Sequence, residues 1–348
     1  MDTILSPRRR QLVVGLGLGA LAGCGRSPAP AADSGYSSFG GSTMGSTWTV
    51  KLAAAKRDTA SLQAVVQSAL DAVDQRMSIY RPQSELSQFN RAGIGAHALS
   101  DELAEVLAAA AEVSAWSAGA FDVTVAPLVE EWGFGVRGVR RVPAQALVAE
   151  GRRRVDWRAL SVDRERRQAV KGLAGLQADL GGIAKGYGVD LAAAALEARG
   201  VLHYMVEAGG EVRTCGVNAQ GQPWRIGIEQ PDSLPQRARW AVPLSGGSMA
   251  TSGDYRNYFV EGGQRYSHEI DPVAGAPVRH ALASVTVVAD DCMRADAMAT
   301  ALFVLGPQRG RALAESAGIA AQFIARGADG ALDDAMTPAF AALRAERA

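Results

Sequence analysis

From Ala297 to Leu305 every residue of the chain except Thr300 is apolar. A helix of that composition is hydrophobic nearly all round, so the fold must enclose it on every side. The chain has the material: 348 residues, of which 48% are hydrophobic, fit one large or two modest domains with a substantial core. Asp296 immediately precedes the run and stacks on Thr300 one turn later. A carboxylate on a buried helix needs a partner charge, a metal or strong hydrogen bonds. Carboxylate and hydroxyl oxygens suit a hard cation such as Mg²⁺, which keeps waters and contacts ligand phosphate. Equally, Asp296 suits the first turn by its charge, with Thr300 bonded back to the backbone. The pattern alone leaves both open.

Periodicity supplies the other elements. Leu62, Val65, Val66, Ala69, Leu70 and Val73 share one face of a helix over 59–77, and Leu103, Val106, Leu107, Ala110 and Val113 define a second. Thr47 to Leu52 alternates like a strand. A strand at 175–179 is expected to lead through Gly181-Gly182 into a helix over 183–199. Short strands follow at 204–206, 224–228, 240–244, 257–260 and 284–289, then helices at 293–305 and 308–316 and a strand at 320–325. Interleaved helices and hairpin-like strands predict an α+β fold with largely antiparallel sheet.

The first residues belong to a different regime. Arg8-Arg9-Arg10 precedes a short apolar core, Leu12 to Ala22, well below the ~20 residues of a membrane-spanning helix. This predicts a signal peptide over 1–23. It ends in Leu21-Ala22-Gly23-Cys24, which resembles a bacterial lipoprotein box with Cys24 as the lipidated residue. The Ser-, Gly-, Pro- and Ala-rich stretch that follows reads as a flexible tether over 24–41. The 36 basic and 36 acidic residues balance, which argues against nucleic acid as a partner. Cys215 and Cys292 are expected to be buried free thiols.

Two further constellations carry chemistry. In Asp179-Leu-Gly-Gly-Ile-Ala-Lys185 a strand end meets a helix start. Exposed N–H groups, the helix dipole and a lysine, one of only four, would suit an anion. A plain strand–helix turn with a solvated lysine fits the same residues. His268, in Ser267-His268-Glu269-Ile270-Asp271-Pro272, lies between glycine turns, where it could act as a base or be merely structural. Tyr80, Ala120-Phe121-Asp122, Trp132-Gly-Phe-Gly135 and Asp254–Phe259 combine aromatic and polar groups that suit either a planar-ligand pocket or a core. No His/Cys cluster has zinc spacing.

Taken in order, from Thr43-Met44-Gly45 to Leu305-Gly306, these motifs closely resemble the ApbE family of flavin transferases. The resemblance implies a T-fold-like α+β architecture in a domain over 42–330, followed by a C-terminal segment over 331–348. It implies FAD as substrate and Mg²⁺ as cofactor. A threonine hydroxyl of an exported or membrane-bound flavoprotein would attack the FMN-side phosphorus, releasing AMP. FAD contacts would fall on Met44, Tyr80, Ala120, Phe121, Asp122, Asp179, Lys185 and Ile270. The metal would fall on Gly182, Asp296 and Thr300, with His268 as candidate base and Lys185 beside the phosphates. Glu269 stands where an apolar residue is common, and Met44-Gly45-Ser46 replaces the more frequent Met-Gly-Thr. Residues 137–172 match no motif. With the leader, the reading places the protein on the periplasmic side of a membrane, anchored through Cys24. Two alternatives share the site: an FAD pyrophosphatase, with water as nucleophile, and a non-catalytic flavin-binding lipoprotein.

Overall fold

The computed structural model describes residues 35–54 and 59–348. The leader, Cys24 and the tether up to residue 34 lie outside the described residues.

The chain opens with a hairpin, β1 (Ser37–Thr43) and β2 (Ser46–Leu52). Its tight turn holds Met44 at φ 45 and Gly45 at φ 72. β1 begins inside the stretch read as tether to Gly41: backbone pairing with β2 and burial of Phe39 order these small residues. Helix α1 (Ala60–Met77) follows with Leu62, Val66, Leu70, Val73 and Met77 buried on one face, and it stops where Ser78 turns extended. Two serine caps start the next helices. Ser84 accepts from the Ser87 N–H before α2 (Glu85–Arg91), and Ser100 from the Leu103 N–H before α3 (Asp101–Trp116). Between them β3 (Gly95–Ala98) joins β4 (Leu160–Asp163) and β5 (Gln168–Lys171) in a small sheet. The intervening residues hold two short helices, α4 (Ala126–Glu131) and α5 (Gln145–Arg152), ahead of α6 (Ala184–Glu197).

The remaining strands are β6 (Tyr204–Ala208), β7 (Glu211–Cys215), β8 (Trp224–Glu229), β9 (Ala238–Leu244), β10 (Gly246–Gly253), β11 (Tyr258–Glu261), β12 (Gln264–Ser267), β13 (Ile270–Asp271), β14 (Ala276–Pro277) and β15 (Leu282–Ala289). After α7 (Cys292–Ser316) come β16 (Ala320–Arg326), β17 (Leu332–Met336), α8 (Pro338–Ala341) and β18 (Glu346–Arg347). Eight strands form one antiparallel sheet in the order β1-β2-β6-β7-β10-β15-β16-β17. Helices α1, α6 and α7 pack together with this sheet. A second cluster joins Val212, Met249 and Ile324 of the sheet to Trp224, Ile226 and Val242 of the β18-β9-β8 sheet. Strand β15 therefore reads as a nearly unbroken buried run. The expected α+β architecture with antiparallel sheets and packed helices is observed.

Three further details differ from the sequence reading. Residues 175–179 form no strand, only an isolated bridge between Val125 and Gln177. The side chain of Asn90 stands in for a neighbouring strand, accepting from the Ala178 N–H at 2.7 Å and donating to its carbonyl at 2.8 Å. Residues 331–348 belong to the same body: β17 pairs with β16, β18 with β9, and Phe340 is fully buried. Cys292 is buried, whereas Cys215 is only half-buried; both are free. No helix among the described residues is long and apolar enough to cross a membrane.

Candidate active site

A cleft of 1030 Å³ opens where the starts of α6 and α7 meet β7, β10 and the residues after β12. Its floor is built by charge placement. Asp190 on α6 accepts from the Cys292 and Met293 N–H groups and pairs with Arg213 at 2.6 Å, so it ties down the start of α7. Asp291 caps the same helix end, accepting from the Arg294 N–H at 2.8 Å. One turn in, the Asp296 carboxylate is 3% exposed, accepts from the Gly186 N–H at 3.1 Å and lies 3.8 Å from Lys185 Nζ. Lys185 also pairs with Glu211. Burial alone would lower the Lys185 pKa, but Asp296 and Glu211 outweigh it and hold the ammonium above its ordinary value. Burial raises both carboxylates, and Lys185 opposes that rise.

Thr300 does not settle into a purely local backbone contact; its hydroxyl meets that of Ser252 on β10 at 3.0 Å. Gly182 lies against it so closely that a Cβ there would stand 2.8 Å from Thr300 Oγ1. Gly182, Asp296 and Thr300 thus line one space, as expected. The oxygens available are one carboxylate and neutral donors. No group of three or more His, Cys, Asp or Glu able to hold a metal occurs among the described residues. Such a set fits Mg²⁺ completing its shell with water and phosphate oxygens, and does not fit zinc. Glu211 Oε2 beside it is a buried oxygen with no protein partner, consistent with a site built for a further polar or cationic occupant.

The walls carry the remaining residues. Asp179 Oδ1 accepts from the Gly181 N–H at 2.7 Å, and burial raises its pKa. Tyr80 is exposed at the mouth and donates to the Phe134 carbonyl at 3.1 Å. Met44, Ala120, Phe121 and Ile270 line the cleft. Asp122 does too, but its carboxylate is engaged: Oδ1 accepts from the Thr124 N–H and hydroxyl, and Oδ2 from the Trp157 N–H. His268 Nδ1 lies 3.2 Å from the Asn257 carbonyl, and the ring meets Phe134 edge-on. Although 39% of its side chain faces cleft space, burial lowers the His268 pKa to about 4, with Lys185 adding to the effect. All the expected contact residues therefore meet in one cleft. Sequence reasoning missed Glu207 and Glu211. Their signal was the Glu207-Ala-Gly-Gly-Glu211 turn, where Gly209 and Gly210 take positive φ and return the chain toward Lys185.

Comparison with known proteins agrees with this arrangement. The ApbE family model matches residues 44–323. The FAD:protein FMN transferase of Haemophilus influenzae is 41% identical over 298 residues, 83% of this chain and 86% of that protein. The FAD:protein FMN transferase of Escherichia coli K12 is 34% identical over 88% of this chain and 90% of its own length. Among solved structures, the flavinyl transferase ApbE of Pseudomonas stutzeri superposes with a TM-score of 0.80 at 41% identity, covering 88% of this chain and 96% of that one. The flavin transferase ApbE of Vibrio cholerae gives a TM-score of 0.79 at 37% identity, covering 88% and 99%. The chain belongs to the ApbE family.

Proposed function

We propose that this enzyme transfers the FMN moiety of FAD to a threonine hydroxyl of a target flavoprotein and releases AMP. The observation that carries the reading is the meeting of Lys185, Asp296, Thr300 and His268 in one cleft, large enough for a dinucleotide, in a chain of this family. Phosphoryl transfer asks for charge neutralisation and positioning more than covalent help. Asp296, Thr300 and Gly182 would hold Mg²⁺, which supplies neutralisation of phosphate charge. Lys185 is kept cationic by its two carboxylates and lies beside the metal residues. Asp179, Tyr80, Met44, Ala120, Phe121, Asp122 and Ile270 supply the walls against which the flavin nucleotide is oriented. Because a carbonyl can only accept, the contact to Asn257 places a proton on His268 Nδ1 and leaves Nε2 free to take the proton of the incoming hydroxyl.

The test incubates protein lacking residues 1–24 with FAD and Mg²⁺, with and without a flavin-acceptor domain, and reads acceptor mass and released AMP. Acceptor-dependent AMP with an FMN mass shift supports the transferase. AMP and free FMN with no labelled acceptor would favour the pyrophosphatase. Retained flavin without turnover would leave a binding protein. The leader and lipoprotein box support a lipid anchor on the periplasmic side of a bacterial membrane. Cys24→Ala should then move the protein from the membrane fraction to the soluble fraction; continued membrane association would refute the anchor.

A further inference from the structure

Glu269 is a carboxylate that the phosphate chemistry described above does not use. It is 7% exposed and lines the same cleft as His268. Its Oε1 lies 3.8 Å from His268 Nε2, the one imidazole nitrogen left with a free lone pair. Charged groups reach this pair from four other segments: Lys185 on α6, Asp296 on α7, Asp254 after β10, and Arg140 in the residues after α4. Burial first, and then the two cations, make an imidazolium costly, so the histidine is held neutral. A base held so firmly neutral is a weak acceptor for a hydroxyl proton, and a nearby anion would offset the cost of its imidazolium.

We propose that Glu269 is a positioning residue for the transfer step, its carboxylate facing Nε2 and stabilising the imidazolium formed when the acceptor hydroxyl gives up its proton. The inference rests on the transferase reading above. In the step, the hydroxyl O–H bond breaks and its proton goes to His268 Nε2. The oxygen forms a bond to the FMN-side phosphorus. The bond from that phosphorus to the bridging oxygen breaks, and AMP leaves with the electron pair. Glu269 exchanges no proton in the step; it acts through its charge.

The sign of the pH dependence follows. Burial, with Asp296 and Asp254 adding, raises the Glu269 pKa to about 8 against the pull of Lys185. Below that pH the group is neutral and gives no help. Above it the carboxylate is ionised and strengthens the base.

The experiment measures FMN transfer to an acceptor domain from pH 6 to 9 in the wild type, Glu269→Gln and Glu269→Asp, with Mg²⁺ present. The wild-type kcat should rise with pH as Glu269 ionises. E269Q should lose that rise, so its deficit grows with pH to about tenfold or more at pH 9. Its FAD affinity, by flavin fluorescence, and its melting temperature should stay close to wild type. E269D should recover part of the alkaline rise. An unaltered profile in E269Q would overturn the inference. So would a deficit equal at every pH and accompanied by weakened FAD binding, which is what a structural role predicts. Absence of FMN transfer by the wild type would overturn the transferase reading and this inference with it. Transfer by the wild type with an unchanged E269Q overturns this inference alone.

Discussion

Two of the four lysines, Lys171 and Lys185, show how one residue type serves two ends. Lys171 is 1% exposed, and its ammonium donates to the carbonyls of Phe89, Asn90 and Ala92 at 3.2, 3.4 and 2.7 Å, where α2 ends. It also lies over the Phe89 ring. A helix end leaves its last carbonyls short of intrahelical donors; Phe89 shares the Ala92 N–H with Gln88, and Lys171 completes these three carbonyls. Lys171→Met keeps the packing but strands them, so urea unfolding should show a loss of about 1–3 kcal/mol. Lys185 instead answers carboxylates. Asp296→Ala removes one of them together with the only carboxylate among the proposed metal-holding residues. Metal-dependent FAD turnover should fall by about 10²-fold or more, with Mg²⁺ dependence lost; unchanged turnover would refute the metal assignment. Lys185 stood out in the sequence because its neighbours were glycines and a helix start. Lys171 did not, because its acceptors lie about 80 residues away in sequence.

At the scale of elements, the site depends on how closely α6 and α7 approach. Gly186 makes that contact: a Cβ there would stand 2.2 Å from the Cys292 carbonyl oxygen and 2.9 Å from Asp296 Cβ. Alanine in a helix normally gains about 1 kcal/mol over glycine. Here the backbone of α7 would have to move, at a cost of about 1–3 kcal/mol, and Asp296 would move with it. Gly186→Ala should therefore lower the melting temperature and reduce turnover together. The long helices and the alternating strands were legible because their burial is periodic in the sequence. The two parts of α7 were legible as well, since Gly306 at φ 82 interrupts the helix before Pro307. Strand β10 was not: Gly-Gly-Ser-Met-Ala-Thr-Ser-Gly has no strand pattern. It is a strand because β7 and β15 pair with it on either side, and it brings Ser252 to Thr300.

Across the whole molecule, the last residues close the face of the sheet opposite α7. Phe340 is fully buried in the cluster with Trp224, Ile226, Val242 and Ile324. Deleting residues 337–348 removes that side chain and the pairing of β18 with β9, and exposes apolar surface. The shortened protein should melt several degrees lower and lose solubility; an unchanged melting curve would show that the segment is dispensable. What the sequence determined by itself was the family, the α+β class, the long helices and the residues Asp179, Lys185, His268, Asp296 and Thr300, because each sits in a local pattern of glycines, periodic burial or isolated charge. Only the tertiary structure decided that Glu211 joins Lys185, that Ser252 meets Thr300, that Asp122 is spent on its own loop and that Glu269 faces His268 Nε2. Those are facts about where side chains point and which groups water is kept from, and a linear pattern encodes neither.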